Sequence, residues 1–199
     1  QELLNLSSSE RSKEKNNEQD FNKLYSRIEK YEGISDNMEL EIAKYLESVS
    51  DAHLSDDTKA KIRAMLREVS ELESIGDACF NMARTINRKY SKKEDHFIEK
   101  QYNHLHQMMG LTDQALTQMN KLMGGRKEAY DVNRTFNIEN EINNYRNQLK
   151  AQNIVDVNNH LYTYAEGTIY IDLVNECEKL GDYVVNVVEA RMGTRQREA

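Results

Sequence analysis

Four pairs of acidic or amide side chains recur at helical spacing: Glu32 with Asp36, Glu73 with Asp77, Glu139 with Asn143, and Glu178 with Asp182. Residues four apart lie one turn from each other on the same helix face. Two carboxylates held there repel, and burial adds to the cost of ionising them. Such a pair calls for a metal, a neighbouring arginine or lysine, or shared protons. If Glu32 and Asp36 face Glu73 and Asp77, the four carboxylates make a hard, oxygen-rich nest suited to divalent or trivalent cations. Asn143 lowers the charge of the corresponding second set, Glu139, Glu178 and Asp182, so the first set is expected to hold a cation better. The competing reading is ion pairing or plain solvation, since 31% of the chain is charged and Glu-x-x-x-Asp arises by chance.

The spacing is not isolated. Glu73-Ser-Ile-Gly76-Asp77-Ala-Cys-Phe-Asn81 aligns with Glu178-Lys-Leu-Gly181-Asp182-Tyr-Val-Val-Asn186. The same offset carries Leu66 onto Ile171, Val69 onto Val174, Phe80 onto Val185 and Ala83 onto Val188. The chain thus holds two copies of one helical unit. Positions 66, 69, 73, 76, 80 and 83, with their counterparts, are expected to form a buried seam into which Glu73 and Glu178 intrude. Asn81 and Asn186, one turn after each aspartate, are placed to hydrogen-bond it.

The elements that must carry these residues follow from composition. The 199 residues contain no proline, where average usage of about 5% would give roughly ten. With only eight glycines, the chain cannot support the many tight turns of a β-sandwich or barrel. Apolar residues spaced by three and four predict helices over about 20–49, 56–90, 94–123, 127–152 and 159–192. Ser55 serves as an N-cap, and Gly124-Gly125 and Gly193 as stops. Residues 1–19 read as a polar linker after a short apolar patch at Leu3, Leu4 and Leu6, the remnant of a helix. Residues 193–199 form a tail.

Several functions are disfavoured. A net charge of −7 and a pI of about 5.4 argue against nucleic acid as a partner. Cys79 and Cys177 are too few for a disulfide framework or a zinc site of their own. No apolar run approaches the roughly 18–20 residues that cross a bilayer. His104 and His106 point about 200° apart on a helix and chelate poorly, while His53, His96 and His160 fall near helix ends. Glu-x-x-His, P-loop and nucleophile-elbow motifs are missing, so an enzyme is the least favoured class. The start at Gln1 suggests a piece of a longer chain.

The duplicated Glu-x-Ile/Leu-Gly-Asp-x-x-x-Asn motif resembles the third-helix motif of the PhoU family. Glu32/Asp36 and Glu139/Asn143 resemble its second-helix Glu/Asp-x-x-x-Asp motif, with Asn143 departing from the pattern. The resemblance spans about 20–192. It implies an all-α fold of two tandem three-helix bundles, 20–92 and 93–192, the first lacking most of its first helix. Domains of this kind appended to sodium/phosphate cotransporter-type membrane proteins are the nearest in style. The resemblance therefore implies a non-enzymatic regulatory or interaction domain at the cytoplasmic face of the membrane. Its partner would be an upstream transmembrane transporter region of the same polypeptide, or a second copy. It also implies iron, zinc, magnesium or manganese at Glu32, Asp36, Glu73, Asp77, Glu139, Glu178 and Asp182. The alternative is a structural helical bundle, or a free-standing PhoU-type regulator without metal.

Overall fold

A computed structural model describes residues 1–8, 16–50, 53–91, 97–124 and 132–195. The chain is all-α, and six helices with no strand make up the described residues: α1 (Glu2–Leu6), α2 (Asn17–Ser50), α3 (Asp56–Tyr90), α4 (Glu99–Met123), α5 (Val132–Asn158) and α6 (Tyr164–Arg195). The expected residues 94–96 and 127–131 lie outside the described residues.

Local chemistry sets the helix ends. The Ser55 hydroxyl accepts from the Thr58 amide at 3.3 Å, with Asp56 and Asp57 in the first turn of α3 and Arg88 and Lys89 in its last, each complementing the helix dipole. At α6 a capping box forms: the Glu166 carboxylate accepts from the Thr163 amide at 2.7 Å, and the Thr163 hydroxyl accepts from the Glu166 amide at 3.2 Å. This box moves the start of α6 to Tyr164 from the expected 159. The turn before it is closed by His160 at φ 56°, in the left-handed region.

α3 and α6 cross antiparallel at the centre. Arg67 meets Glu189 at 3.2 Å, Met82 meets Cys177 at 3.6 Å, and Arg88 meets Asp172 at 3.7 Å. α2 lies antiparallel along α3, where Phe21 stacks on Tyr90 with ring centroids 4.0 Å apart. α5 lies likewise along α6, and α4 packs on both α5 and α6. In the first copy the place of α4 is held by α1, which touches α2 and α3. Asn17 donates to the Leu6 carbonyl at 2.8 Å, and Leu3, Leu4 and Leu6 are buried.

The difference in cover has a direct consequence. Tyr31, Met38, Ile42 and Tyr45 are exposed, because among the described residues no third helix overlies this stretch of α2. Burial also departs from the expected seam. On α3 the buried side chains are Ile62, Glu68, Ile75, Ala78, Ala83, Ile86 and Lys89, a stripe that leaves Glu73 at its flank. The central crossing, rather than the repeat motif, selects the stripe.

Candidate functional site

In the first copy, α2 presents Glu32, Asp36 and Glu39 toward Glu73 and Asp77 on α3. Gly76 lets the two backbones approach: a Cβ there would lie 3.2 Å from the Ser35 hydroxyl. The electrostatics record the crowding. Glu73 is pushed above the ordinary carboxylate range by loss of hydration and then by the charges of Glu39, Asp36 and Asp77. Glu32 is raised by lost hydration, Asp36 and Asp77, against a lowering pull from Arg84. Asn81 donates to Asp77 at 3.2 Å, as its spacing predicts. The four sequence-predicted acids of this copy thus share one flank of the hairpin, with Asp77 exposed and the other three partly buried. Among the described residues, no three His, Cys, Asp or Glu side chains converge closely enough to ligate one ion.

The second copy answers the same problem with protein groups. Arg146 forms a salt bridge with Glu178, and Asn143 donates to Glu139. Glu139 is raised by lost hydration and then by Asp182, with Asn143 and Arg146 opposing. Asp182 is raised by lost hydration against the pull of Arg146. Gly181 allows close approach, since a Cβ there would stand 3.1 Å from the Ile142 methyl. Asn186 departs from its expected partner: it donates to Glu71 on α3 at 3.0 Å, a carboxylate that the antiparallel crossing of α3 and α6 sets against it.

Arg146 is the functional residue that the sequence reading missed. The register that places Glu139 on Glu32 and Asn143 on Asp36 places Arg146 on Glu39. One position therefore carries opposite charge in the two copies, facing Glu73 in one and Glu178 in the other. Extending the second-helix alignment by a single turn reveals it.

The residues fit a metal unequally. The first copy offers five carboxylates whose mutual field goes unanswered by a salt bridge among the described residues, so its donor chemistry fits a hard cation once side chains rotate inward. The second copy already has its cation in Arg146 and an amide in place of one carboxylate; it does not fit. His104 is paired to the Tyr170 hydroxyl at 3.0 Å. Comparison with family models, curated proteins and solved structures finds no match to this chain. The resemblance to the PhoU family therefore rests on the duplicated motifs themselves.

Proposed function

We propose that the chain is a non-enzymatic regulatory or interaction domain that acts with sodium-dependent phosphate transport at the cytoplasmic face of the membrane. In this reading it holds a divalent or trivalent cation (iron, zinc, magnesium or manganese) between α2 and α3. Glu32, Asp36, Glu73 and Asp77 supply the oxygen donors, and Glu39 adds charge beside them. The cation neutralises the acids and clamps the two helices, fixing the surface offered to a transporter's membrane region. The observation that carries the reading is the unanswered carboxylate field on the first copy, set against the Arg146-neutralised field on the second.

Elemental analysis of protein purified without chelator, repeated after adding manganese, iron or zinc, tests the cation. Bound metal that disappears in the Glu73→Ala/Asp77→Ala variant supports the site; full occupancy in that variant overturns it. The transport reading is tested separately, by recruitment of the purified chain to membranes carrying a sodium/phosphate cotransporter. The second reading, a structural bundle without metal, is favoured by the lack of three converging ligands among the described residues. It predicts no retained metal under any loading condition.

A further inference from the structure

The acidic flank is not the only departure from internal symmetry. α3 and α5 both pack on α6 but, among the described residues, their backbones do not pack on each other. Between them opens a cleft of about 820 Å³, lined by Arg84 and Arg88 of α3, Lys150 of α5 and Lys179 of α6, with Tyr25 of α2 at its edge. That volume lies within the range of small-molecule sites, about 300–1,000 Å³.

The duplication does not account for these cations. Carried through the repeat, Arg84 falls on Glu189, Arg88 on Gly193, Lys179 on Ser74 and Lys150 on Ala43. Groups shared by both copies serve the architecture; none of these four, two from each copy, has a cationic counterpart in the other, in a chain of net charge −7.

The cleft also contains Asp172, Glu176 and Glu178, and each has its own cation. Arg88 pairs with Asp172 at 3.7 Å, Lys179 with Glu176 at 2.8 Å, and Arg146 with Glu178. What is left over is positive. Neither Arg84 nor Lys150 forms an ion pair among the described residues; the Arg84 guanidinium rests over the Phe80 ring and reaches Asn81 at 3.4 Å. The Arg88–Asp172 pair is exposed on both sides, and such pairs exchange partners at little cost. Asn87 and Asn175 add neutral donors and acceptors to the walls.

We propose that this cleft binds a small anion carrying two or more phosphoryl groups, of nucleoside di- or triphosphate size. Guanidinium groups match phosphoryl oxygens in bidentate fashion, and the ammonium of Lys150 supplies a second point charge. Arg84 and Lys150 stand on different helices, α3 and α5, so a ligand with two or more phosphoryl groups can offer one to each. The amides and Tyr25 face the remainder of the ligand. The cleft meets the acidic flank through Arg84, whose charge also acts on Glu32, so the Lys150→Glu variant, which leaves Arg84 in place, separates failure of one proposal from failure of the other.

Isothermal titration in magnesium-free buffer tests it, with ATP, pyrophosphate, citrate and adenosine as probes. ATP and pyrophosphate are expected to bind and adenosine not to, with citrate weaker by about tenfold. Arg84→Ala/Lys150→Ala should weaken ATP binding by about tenfold or more, and so should Lys150→Glu alone, at an exposed position where folding is not at stake. Arg63→Ala/Lys44→Ala, which removes two exposed cations outside the cleft, should leave it unchanged. The proposal is overturned if millimolar ATP gives no binding, if both cleft variants bind as the wild type does, or if citrate or adenosine matches ATP.

Discussion

The two acidic flanks are built from one plan and solve its electrostatic problem in opposite ways. Around Gly76 and around Gly181 a glutamate and an aspartate face a second glutamate across a tight helix pair. The first copy adds Asp36 and Glu39; the second substitutes Asn143 and Arg146. The outcome is a joint partly neutralised by Arg146 in one copy and, among the described residues, an anionic one without a salt bridge in the other. In the proposed reading the motif alone does not define a cation site, and the residue one turn further along the neighbouring helix makes the difference.

Reversing that residue should have the largest effect. Arg146 and Glu178 are partly buried, their side chains 25% and 15% exposed. Arg146→Glu removes the partner of Glu178 and adds a like charge beside it. Breaking a fully buried pair costs about 3–5 kcal/mol, and partial solvent access reduces this to about 3 kcal/mol here. For a chain of this size that lowers Tm by about 8 °C, read by a thermal melt. A shift under 2 °C would show that the pair contributes little.

The reciprocal change sharpens the comparison. Glu39→Arg places the second copy's cation beside Glu73 and should stabilise the protein by about 0.5–1 kcal/mol, since the pair is solvent-accessible. It should also abolish any rise in Tm that manganese gives the wild type, because a fixed guanidinium and a bound cation compete for the same carboxylates. A manganese response that survives in this variant places the ion elsewhere.

The pH dependence reports on the first flank. Glu73 has a raised pKa in the fold, so the folded state holds its proton more tightly than the unfolded chain does. The sign follows: stability falls as pH rises from about 4, the ordinary carboxylate value, through the raised one, and stays lower above it. Glu73→Gln should therefore exceed the wild type at pH 7 by about 2 °C in Tm and match it near pH 4. An equal offset at both pH values would assign the gain to packing instead of charge.

The duplication, the five long helices and the Gly–Asp motifs were legible because each is a short-range or periodic property. Helix starts set by caps were partly so: Ser55 was identified, whereas the Thr163–Glu166 box was not, although its residues stand in the sequence. The buried stripe on α3 was misplaced because α6 crosses it at an angle that no single-helix pattern encodes. Arg146 and the cationic cleft escaped for a related reason. Both depend on which helices meet, α5 with α6 and α3 with α6 but, among the described residues, not with α5, and that is fixed by tertiary assembly.

The smallest effects distinguish the two glycines at the heart of the motifs. Replacing a helical glycine by alanine gains up to about 1 kcal/mol in backbone propensity, offset by any contact the new methyl makes. At Gly76 the nearest atom is the Ser35 hydroxyl oxygen at 3.2 Å, the tip of a small side chain that can turn away, so Gly76→Ala should stabilise by about 0.5 kcal/mol. At Gly181 the methyl meets Ile142 Cδ1 at 3.1 Å, and Ile142 is fully buried, held by the core around α4 and α6. Gly181→Ala should consequently destabilise by about 0.5 kcal/mol despite its better propensity. Ile142→Val removes that terminal carbon and by itself costs about 1 kcal/mol. Combined with Gly181→Ala it should cost less than the two single effects added, with a coupling of about 1 kcal/mol that urea denaturation can resolve. Strict additivity would mean that the close approach at Gly181 is slack, and that the second joint owes its closure to Arg146 alone.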